Sequence, residues 1–341
     1  MRELAREILA GEEAWVVGGA VRDELLGRAL VDLDVACSDP QAAAREYAKR
    51  SGGAPFPLSE RHGAWRVALE AGRTVDFTPL PGTIADDLAT RDFTINAIAV
   101  PLAGGDPVDP HAGRADIEAG VIRAVSPTVF ADDPLRLLRA VRLEDELGFR
   151  IDSETERLVR EHAELVTQTA GERILAELVR LSDAGYRRAD ELDLLAPLQG
   201  SSAGLERGEL VDRPAFRLVA VFGDSLSRLP VSNELKRYAR ALLRAERPED
   251  GSPRALYRFR RATEPWALDA LVFVEAAEHA GAVREAREND PAEPLLRGDE
   301  LGIPPGPEVG RLLEIVEEER AAGEISTRDD ALELVKREQR T

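Results

Sequence analysis

The sequence predicts an α+β protein with a mixed α/β part up to about residue 125 and an all-helical remainder. Before residue 125, short alternating strand patterns are interleaved with helical segments. From Pro127 onward, helical periodicity interrupted by Gly and Pro continues with almost no strand pattern. A chain of 341 residues is too long for one ordinary core, so we expect two or more domains.

Composition limits the classes of function. The formal net charge of −19 argues against a generally basic nucleic-acid binder, so any RNA partner must contact a local surface lined by arginine. The single cysteine, Cys37, excludes an intramolecular disulfide and a cysteine-based zinc cluster. Since no signal pattern and no long apolar run is found, we expect a soluble, cytoplasmic protein with no membrane partner.

The stretch 15–36, WVVGGAVRDELLGRALVDLDVA, has the pattern of a strand, a glycine turn, a short helix and a second strand. Gly18 and Gly19 let the backbone turn sharply and approach a ligand with no Cβ in the way. The helix that follows offers unpaired N–H groups to an anion and carries Arg22 in its first turn. We therefore expect a phosphate group to bind at this turn.

Alternation in the second strand of this stretch places Asp32 and Asp34 on the same face. Two carboxylates at that distance repel each other unless a cation lies between them, and oxygen ligands near a phosphate favour Mg²⁺. The pattern indicates nucleotidyl transfer. An isolated DxD is more often a solvated pair on an edge strand, but its spacing from the glycine turn and Arg22 favours the metal site. Asp76, on a later strand, is a candidate third carboxylate.

Residues 91–97, RDFTINA, combine an Arg-Asp pair with an apolar run that contains Asn96. A buried amide needs hydrogen-bond partners and often organises a neighbouring loop. The same segment is also compatible with an ion pair that precedes an ordinary core strand.

The segment 132–142, DDPLRLLRAVR, starts a helix in the ordinary way, with Asp before Pro. The spacing also puts Asp133 beside Arg136 on the helix surface, with Arg139 and Arg142 continuing at intervals of three. A carboxylate beside a guanidinium complements the base edge of cytosine or adenine, whereas guanine or uracil would leave polar groups unpaired. This helix is therefore a candidate for nucleotide selection without a template.

Taken together, these motifs resemble the class II tRNA nucleotidyltransferase and bacterial poly(A) polymerase family. The matching segments follow one another over about residues 15–180: GGAVRDELLG with DLD, RDFTINAIA, DDPLRLLRAVR, LGFRIDSET and GERILAEL. A weaker match covers residues 295–332. The resemblance implies a DNA polymerase β-superfamily nucleotidyltransferase head (1–125), a helical neck for nucleotide selection and tRNA binding (126–196), a helical body (197–290) and a helical tail (291–341).

The resemblance also implies roles for individual residues. Asp32 and Asp34 would be the catalytic residues and would bind two Mg²⁺ ions in an in-line transfer to the 3′ end of an immature tRNA. The implied nucleotide-binding residues are Gly18, Gly19, Arg22 and Arg91 for the triphosphate and ribose, Asp133 and Arg136 for the base, and Arg139 and Arg142 for the pocket wall.

The chain departs from the family pattern in residue type at Thr90, Asp132 and Leu143, where the family has a basic residue, Glu and Phe. A further departure is one of length. Only PLPGTIADDLAT separates VDFT from RDFTINA, whereas CCA-adding members carry a longer flexible segment there, tied to the switch from C to A addition. We therefore expect a CC-adding enzyme that uses CTP and works with a separate A-adding enzyme; use of ATP for full CCA addition stays open.

Three other functions remain compatible with the sequence. A poly(A) polymerase shares every motif of the head. A small-molecule nucleotidyltransferase shares the head but needs less surface than the long helical remainder provides. A non-catalytic RNA-binding homologue would retain the scaffold, although the intact pair of aspartates argues against it.

Overall fold

The chain divides into two compact units, Met1–Leu198 and Gln199–Thr341. The structure is a computed structural model that describes residues 1–59, 63–207 and 211–340. Among these residues no helix has the length and apolar character needed to cross a membrane. The division into head, neck, body and tail remains a prediction.

The first unit contains all the strands among the described residues and ten α-helices. Its strands are β1 Ala14–Val17, β2 Asp32–Cys37, β3 Ala54–Ser59, β4 Ala64–Ala68, β5 Thr74–Pro79, β6 Ala99–Pro101, β7 Val121–Ile122 and β8 Arg150–Ile151. Its helices are α1 Arg2–Ile8, α2 Gly19–Leu25, α3 Pro40–Ser51, α4 Ile84–Ala89, α5 Gly113–Ala119, α6 Val129–Asp132, α7 Leu135–Leu147, α8 Ser153–His162, α9 Gly171–Leu178 and α10 Asp183–Glu191.

The second unit contains helices and connecting loops, with no strand among its described residues. Its helices are α11 Pro214–Phe222, α12 Asn233–Leu243, α13 Pro253–Thr263, α14 Ala267–Phe273, α15 Ala280–Glu288, α16 Pro307–Ala321 and α17 Arg328–Glu338. The predicted α+β class, with a mixed α/β part followed by helices, is confirmed.

Six strands form one mixed sheet in the order β3-β4-β5-β2-β1-β6. Only β2 and β5 run parallel within it; the other neighbours are antiparallel. The parallel register sets Asp34 opposite Asp76 and Asp32 opposite Thr74. Because side chains on neighbouring strands in register point to the same face, the predicted face with Asp32 and Asp34 also contains Asp76.

The edge strand β3 was not predicted from the sequence. Pro55 and Pro57 interrupt its strand pattern, because proline lacks the N–H that a central strand must donate. An edge strand has one side without a partner and tolerates proline there. The sequence pattern was therefore insufficient to predict β3, because this segment forms a strand only through its position at the edge of the sheet.

The helix α3 covers one face of this sheet, and its ends match the sequence signals. Asp39 accepts a hydrogen bond from the backbone N–H of Ala42 at 2.9 Å, and Gly52 ends the helix in the left-handed region. The buried ring of Tyr47 packs against Phe77 of β5 with a centroid distance of 5.7 Å. The sheet face opposite to this packing is available for the site.

The start of α5 packs closely on the turn at residues 94–96. Asp116 accepts a hydrogen bond from the Thr94 hydroxyl at 2.6 Å and pairs with Arg123 at 3.1 Å. A Cβ at Gly113 would lie 2.1 Å from the carbonyl oxygen of Thr94. Only glycine permits this approach, which fixes the segment that contains Asn96.

We predict that Gly113→Ala destabilises the protein by about 2–3 kcal/mol, because the added methyl group must displace a backbone carbonyl. Urea and thermal unfolding measure the change. Gly310→Ala is the matched control: Gly310 is an exposed position of α16 with open space around its Cβ position, so this variant should be more stable by about 0.5–1 kcal/mol. Equal effects of the two variants would contradict the packing argument.

Candidate active site

The glycine turn lies directly against one of the predicted catalytic carboxylates. Gly18 follows β1 with φ of 70°, a conformation that favours glycine. A Cβ at this position would lie 3.2 Å from the Asp34 Oδ2 atom and 3.3 Å from a guanidinium nitrogen of Arg91. The turn therefore brings Gly18, Asp34 and Arg91 together at one end of the sheet.

The carboxylates of Asp34 and Asp76 occupy opposed positions on β2 and β5. Burial raises the pKa of Asp34 to about 6, and the neighbouring Asp76 adds to this effect while Arg91 opposes it. Asp76 is held by Arg66 of β4 through two hydrogen bonds of 2.7 Å. Asp34 therefore carries the less compensated charge of the two.

Asp32 lies at the exposed start of β2, two residues from Asp34. Its carboxylate accepts a hydrogen bond of 2.7 Å from the Thr74 hydroxyl. No cluster of three ligating side chains occurs among the described residues. The predicted third carboxylate, Asp76, shares the sheet face but has its oxygens bound by Arg66, so any metal at this position would need additional oxygen ligands from water or a substrate.

Arg22 extends from α2 toward the segment 91–97. It donates to the Asn96 side-chain oxygen at 2.8 Å and to Asp23 at 2.9 and 3.0 Å. Asn96 donates in turn to Asp92 at 3.0 Å. The amide that stood out in the sequence is buried and has partners on both sides, as its polar character in an apolar run indicated.

Asp92 is the buried centre of this network. It accepts hydrogen bonds from the Phe93 backbone at 2.8 Å, from Asn96, and from Arg139 of α7 at 3.1 Å. Burial by itself raises the pKa of a carboxyl group, but here the Arg139 charge and the hydrogen bonds outweigh it and hold the pKa of Asp92 below its ordinary value. Asp92 therefore connects the segment 91–97 to α7.

Glu177 of α9 continues the network on the helical side. Its carboxylate lies 3.5 Å from Arg139 and 2.6 Å from Arg142. Glu146 then pairs with Arg142 at 3.4 Å and with Arg180 at 2.7 Å. The buried Arg142 thus has two carboxylate partners, and its burial lowers its pKa.

These groups surround one cavity of about 450 Å³. It is lined by Gly19, Ala20, Arg22, Asp23, Arg28, Ala29, Val31, Asp32, Asp34, Asp92, Asn96, Arg139, Arg142 and Arg180. The cavity is lined by both carboxylates and guanidinium groups, a combination suited to a phosphate-bearing ligand with its cation.

Asp133 and Arg136 are not among the residues that line this cavity. Asp133 lies one residue before Pro134, the N-cap of α7; it accepts from the Leu135 backbone at 3.3 Å and pairs with Arg173 of α9 at 2.8 Å. Arg136 donates to the carbonyl of Thr90 at 2.8 Å. Each member of the predicted base-reading pair therefore has another partner.

Four charged residues of the site were missed as individual candidates: Arg66, Asp92, Arg173 and Glu177. All four form ion pairs with residues on other elements. Arg66 and Asp92 lie within segments that were recognised as a strand and a motif, and the two others lie in the GERILAEL segment that carried the resemblance. Their ion-pair partners depend on tertiary contacts that the sequence does not show. The only signal in the sequence was that each residue lies within a recognised strand or motif.

The fold and the carboxylate and arginine cavity define a nucleotidyltransferase. Family models agree. The poly A polymerase head domain matches residues 14–80 and 66–123, and the probable RNA and SrmB-binding site of polymerase A matches residues 148–199.

Similar proteins extend over nearly the whole chain. A CC-adding tRNA nucleotidyltransferase of Geobacter sulfurreducens is 33% identical over 97% of this chain and 93% of its own. An A-adding tRNA nucleotidyltransferase of Deinococcus radiodurans is 32% identical over 95% of each chain. The solved structure of the Thermotoga maritima CCA-adding enzyme complexed with tRNA is 26% identical, with a TM-score of 0.77, over 99% of this chain and 95% of the other. The chain belongs to the class II tRNA nucleotidyltransferase and bacterial poly(A) polymerase family.

We predict that Asp92→Asn lowers the free energy of unfolding at pH 7 by about 2 kcal/mol, because Arg139 loses a charged hydrogen-bond partner. The pKa of Asp92 is lowered, so its contribution is present above the ordinary value of about 3.9 and is lost as the pH falls through the lower folded-state value. Urea unfolding at pH 7 and at pH 3 should show a smaller difference between variant and wild type at pH 3.

The matched control for this measurement is Asp106→Asn, since Asp106 is exposed and lies in the same unit. We expect no significant change from it at either pH. A deficit of Asp92→Asn that is the same at both pH values would contradict the assigned role of the charge.

Proposed function

We propose that this protein adds CMP residues to the 3′ end of an immature tRNA without a template, stops after CC, and leaves the last A to a separate A-adding enzyme. The observation that supports addition of only two C residues is the short connection between β5 and Arg91. In the family, a longer flexible segment at this place is tied to the switch to A addition.

Here the connection is a short, anchored helix. Thr83 and Asp86 form a reciprocal capping box at the start of α4, and Ile84 and Leu88 are buried. Asp87 of the same helix pairs with Arg91 at 2.7 Å. A segment that is capped, buried and ion-paired has little freedom to rearrange between two nucleotides, which supports a single nucleotide preference.

The names of similar proteins support the family function more than the choice of nucleotide. Besides the Geobacter protein, a Thermus thermophilus protein that is 31% identical over 94% of this chain and 92% of its own is named a CC-adding tRNA nucleotidyltransferase. The A-adding protein of Deinococcus radiodurans has a similar identity, 32%. The CC-only proposal therefore depends mainly on the short connection.

We further propose that Asp133 and Arg136 select cytosine. Arg136 is oriented by the Thr90 carbonyl, and Arg173 holds the Asp133 carboxylate in place. A carboxylate can accept from the exocyclic amine of cytosine while a guanidinium donates to the ring-nitrogen acceptor. In this proposal Arg173 keeps Asp133 ionised, so that the carboxylate remains an acceptor.

Asp32 and Asp34 fit a site for Mg²⁺, with two ions proposed. The donors are oxygen atoms, and Asp34 faces Asp76 with incomplete compensation, so a cation would relieve the repulsion. The ions would stabilise the charge that develops on the attacking and leaving oxygens. Arg22 and Arg91, on either side of the glycine turn, would hold the triphosphate, and substrate oxygens would complete the coordination.

The helix α12 offers a candidate surface for the tRNA in the second unit. Lys236, Arg240 and Arg244 are four residues apart and therefore form one stripe, which borders a groove of about 520 Å³. None of them forms an ion pair with any of the residues that the structure describes. In a chain with a net charge of −19, unpaired cations in a row are suited to RNA phosphates and exceed what a small substrate requires.

We predict that a labelled tRNA lacking CCA, incubated with CTP and ATP together, is extended by two nucleotides, and that addition of an A-adding enzyme completes CCA. Gel electrophoresis of the products measures the outcome. Complete CCA formed by this protein alone would refute the CC-only proposal. Long adenylate tails on unstructured RNA with ATP alone would indicate a poly(A) polymerase, and absence of any incorporation would indicate a non-catalytic homologue.

We predict that Asp34→Asn abolishes incorporation while raising the melting temperature in a chelator by about 2–4 °C, because a repulsion worth about 1 kcal/mol is removed. Millimolar Mg²⁺ should raise the melting temperature of the wild type by mass action and leave that of the variant unchanged. Asp106→Asn should behave as the wild type in both measurements. A variant that gains as much stability from Mg²⁺ as the wild type would show that Asp34 is not a metal ligand.

A further inference from the structure

Four side chains form a row across the sheet on the face of the active site. The registers set Asp34 of β2 opposite Asp76 of β5, Asp76 opposite Arg66 of β4, and Arg66 opposite Phe56 of β3. Opposed residues point to the same face of a sheet. With about 4.8 Å between strands, Phe56 lies roughly 14 Å from Asp34 along this row.

Phe56 is exposed at the edge of the sheet. It is a large apolar residue with 42% of its surface accessible. Its neighbours Pro55 and Pro57 have no N–H to donate, so the free edge of β3 is poorly suited to pairing with a further strand. A strand-edge interface therefore does not account for the aromatic side chain.

The geometry of the transfer reaction indicates from which side of the sheet the 3′-OH of the acceptor RNA approaches. Gly18 and Arg91 lie beside Asp34 at the end of β1, which places the proposed triphosphate on the β1 side. In an in-line displacement the attacking hydroxyl and the leaving pyrophosphate lie on opposite sides of the reacting phosphorus. The acceptor 3′-OH therefore approaches from the side of β5, β4 and β3.

We propose that Asp76, Arg66 and Phe56 mark the path of the single-stranded 3′ end of the acceptor RNA, with Phe56 stacking on an unpaired base upstream of the reacting nucleotide. This inference rests on the proposed function. Every nucleobase presents a flat apolar face that an exposed ring can cover. Because the ring lies far from the carboxylates, it positions the RNA and takes no part in the chemical step.

Arg66 has the free donor that such a path requires. Its Nε and Nη2 groups are bound to Asp76, whereas Nη1 has no partner among the described residues, and a third of the side chain is accessible. A guanidinium with one exposed edge can donate to a backbone phosphate while it keeps Asp76 in place. Stacking and phosphate contact together are the usual combination for single-stranded nucleic acid.

Steady-state kinetics of CMP incorporation test the proposal with Phe56→Ala, Phe56→Leu and Phe56→Trp. For Phe56→Ala and Phe56→Leu we expect the KM for tRNA lacking CCA to rise about five- to tenfold, near the lower end of what one stacked base contributes, with the KM for CTP unchanged. Phe56→Trp should stay near the wild type. Leu25→Ala, which removes another exposed apolar side chain from the first unit, should leave both KM values unchanged.

Acceptors with one abasic nucleotide locate the stacked base. At that position Phe56→Ala should cause no further rise in KM, whereas at the other unpaired positions its effect should persist. The proposal would be overturned if Phe56→Ala left the KM for tRNA unchanged, if Leu25→Ala raised this KM equally, or if Phe56→Leu kept the wild-type KM. If the wild type incorporates no CMP, the proposed function fails. The inference about Phe56 is then tested by equilibrium binding of tRNA to the same variants, with the Kd for tRNA expected to rise by the same factors as the KM.

Discussion

The parallel pairing of β2 with β5 holds the carboxylates of Asp34 and Asp76 side by side, and the repulsion between them is the constraint to which the rest of the site responds. Arg66 neutralises one of the two through a paired hydrogen bond, and Arg91 faces the other across the glycine turn. The compensation is unequal. This unequal compensation is the reason that Asp34, rather than Asp76, is the proposed cation ligand.

A second network of ion pairs and hydrogen bonds fixes the position of α7 and α9 beside the cavity. Asp92 binds Asn96 on the sheet side and Arg139 on α7, and Glu177 continues from Arg139 to Arg142. Buried ion pairs contribute little net stability because their desolvation is costly, yet loss of one partner leaves an uncompensated charge. Such a network is better suited to fixing distances than to stabilising the fold, and fixed distances are what a site that positions two substrates requires.

The period of two in β2 was enough to place Asp32 and Asp34 on one face, since side-chain direction in a strand follows from sequence position alone. The glycine turn and the helices with ordinary caps were predictable for the same local reason. The pairs Arg66 with Asp76 and Asp133 with Arg173 were not, because their partners are set by strand order and by helix packing. Local pattern thus indicated the candidate site residues, and tertiary contacts determined which of them already have partners within the protein.

The acidity of the chain is compatible with an RNA substrate because contact depends on where charge is left unpaired. Many arginines, including Arg157, Arg188 and Arg260, are bound to carboxylates. The stripe on α12 and the open edge of Arg66 are two cationic positions that no described carboxylate occupies, the first bordered by a groove and the second by an exposed ring. Since the surrounding negative charge repels phosphates, such positions favour one binding register over sliding along the RNA.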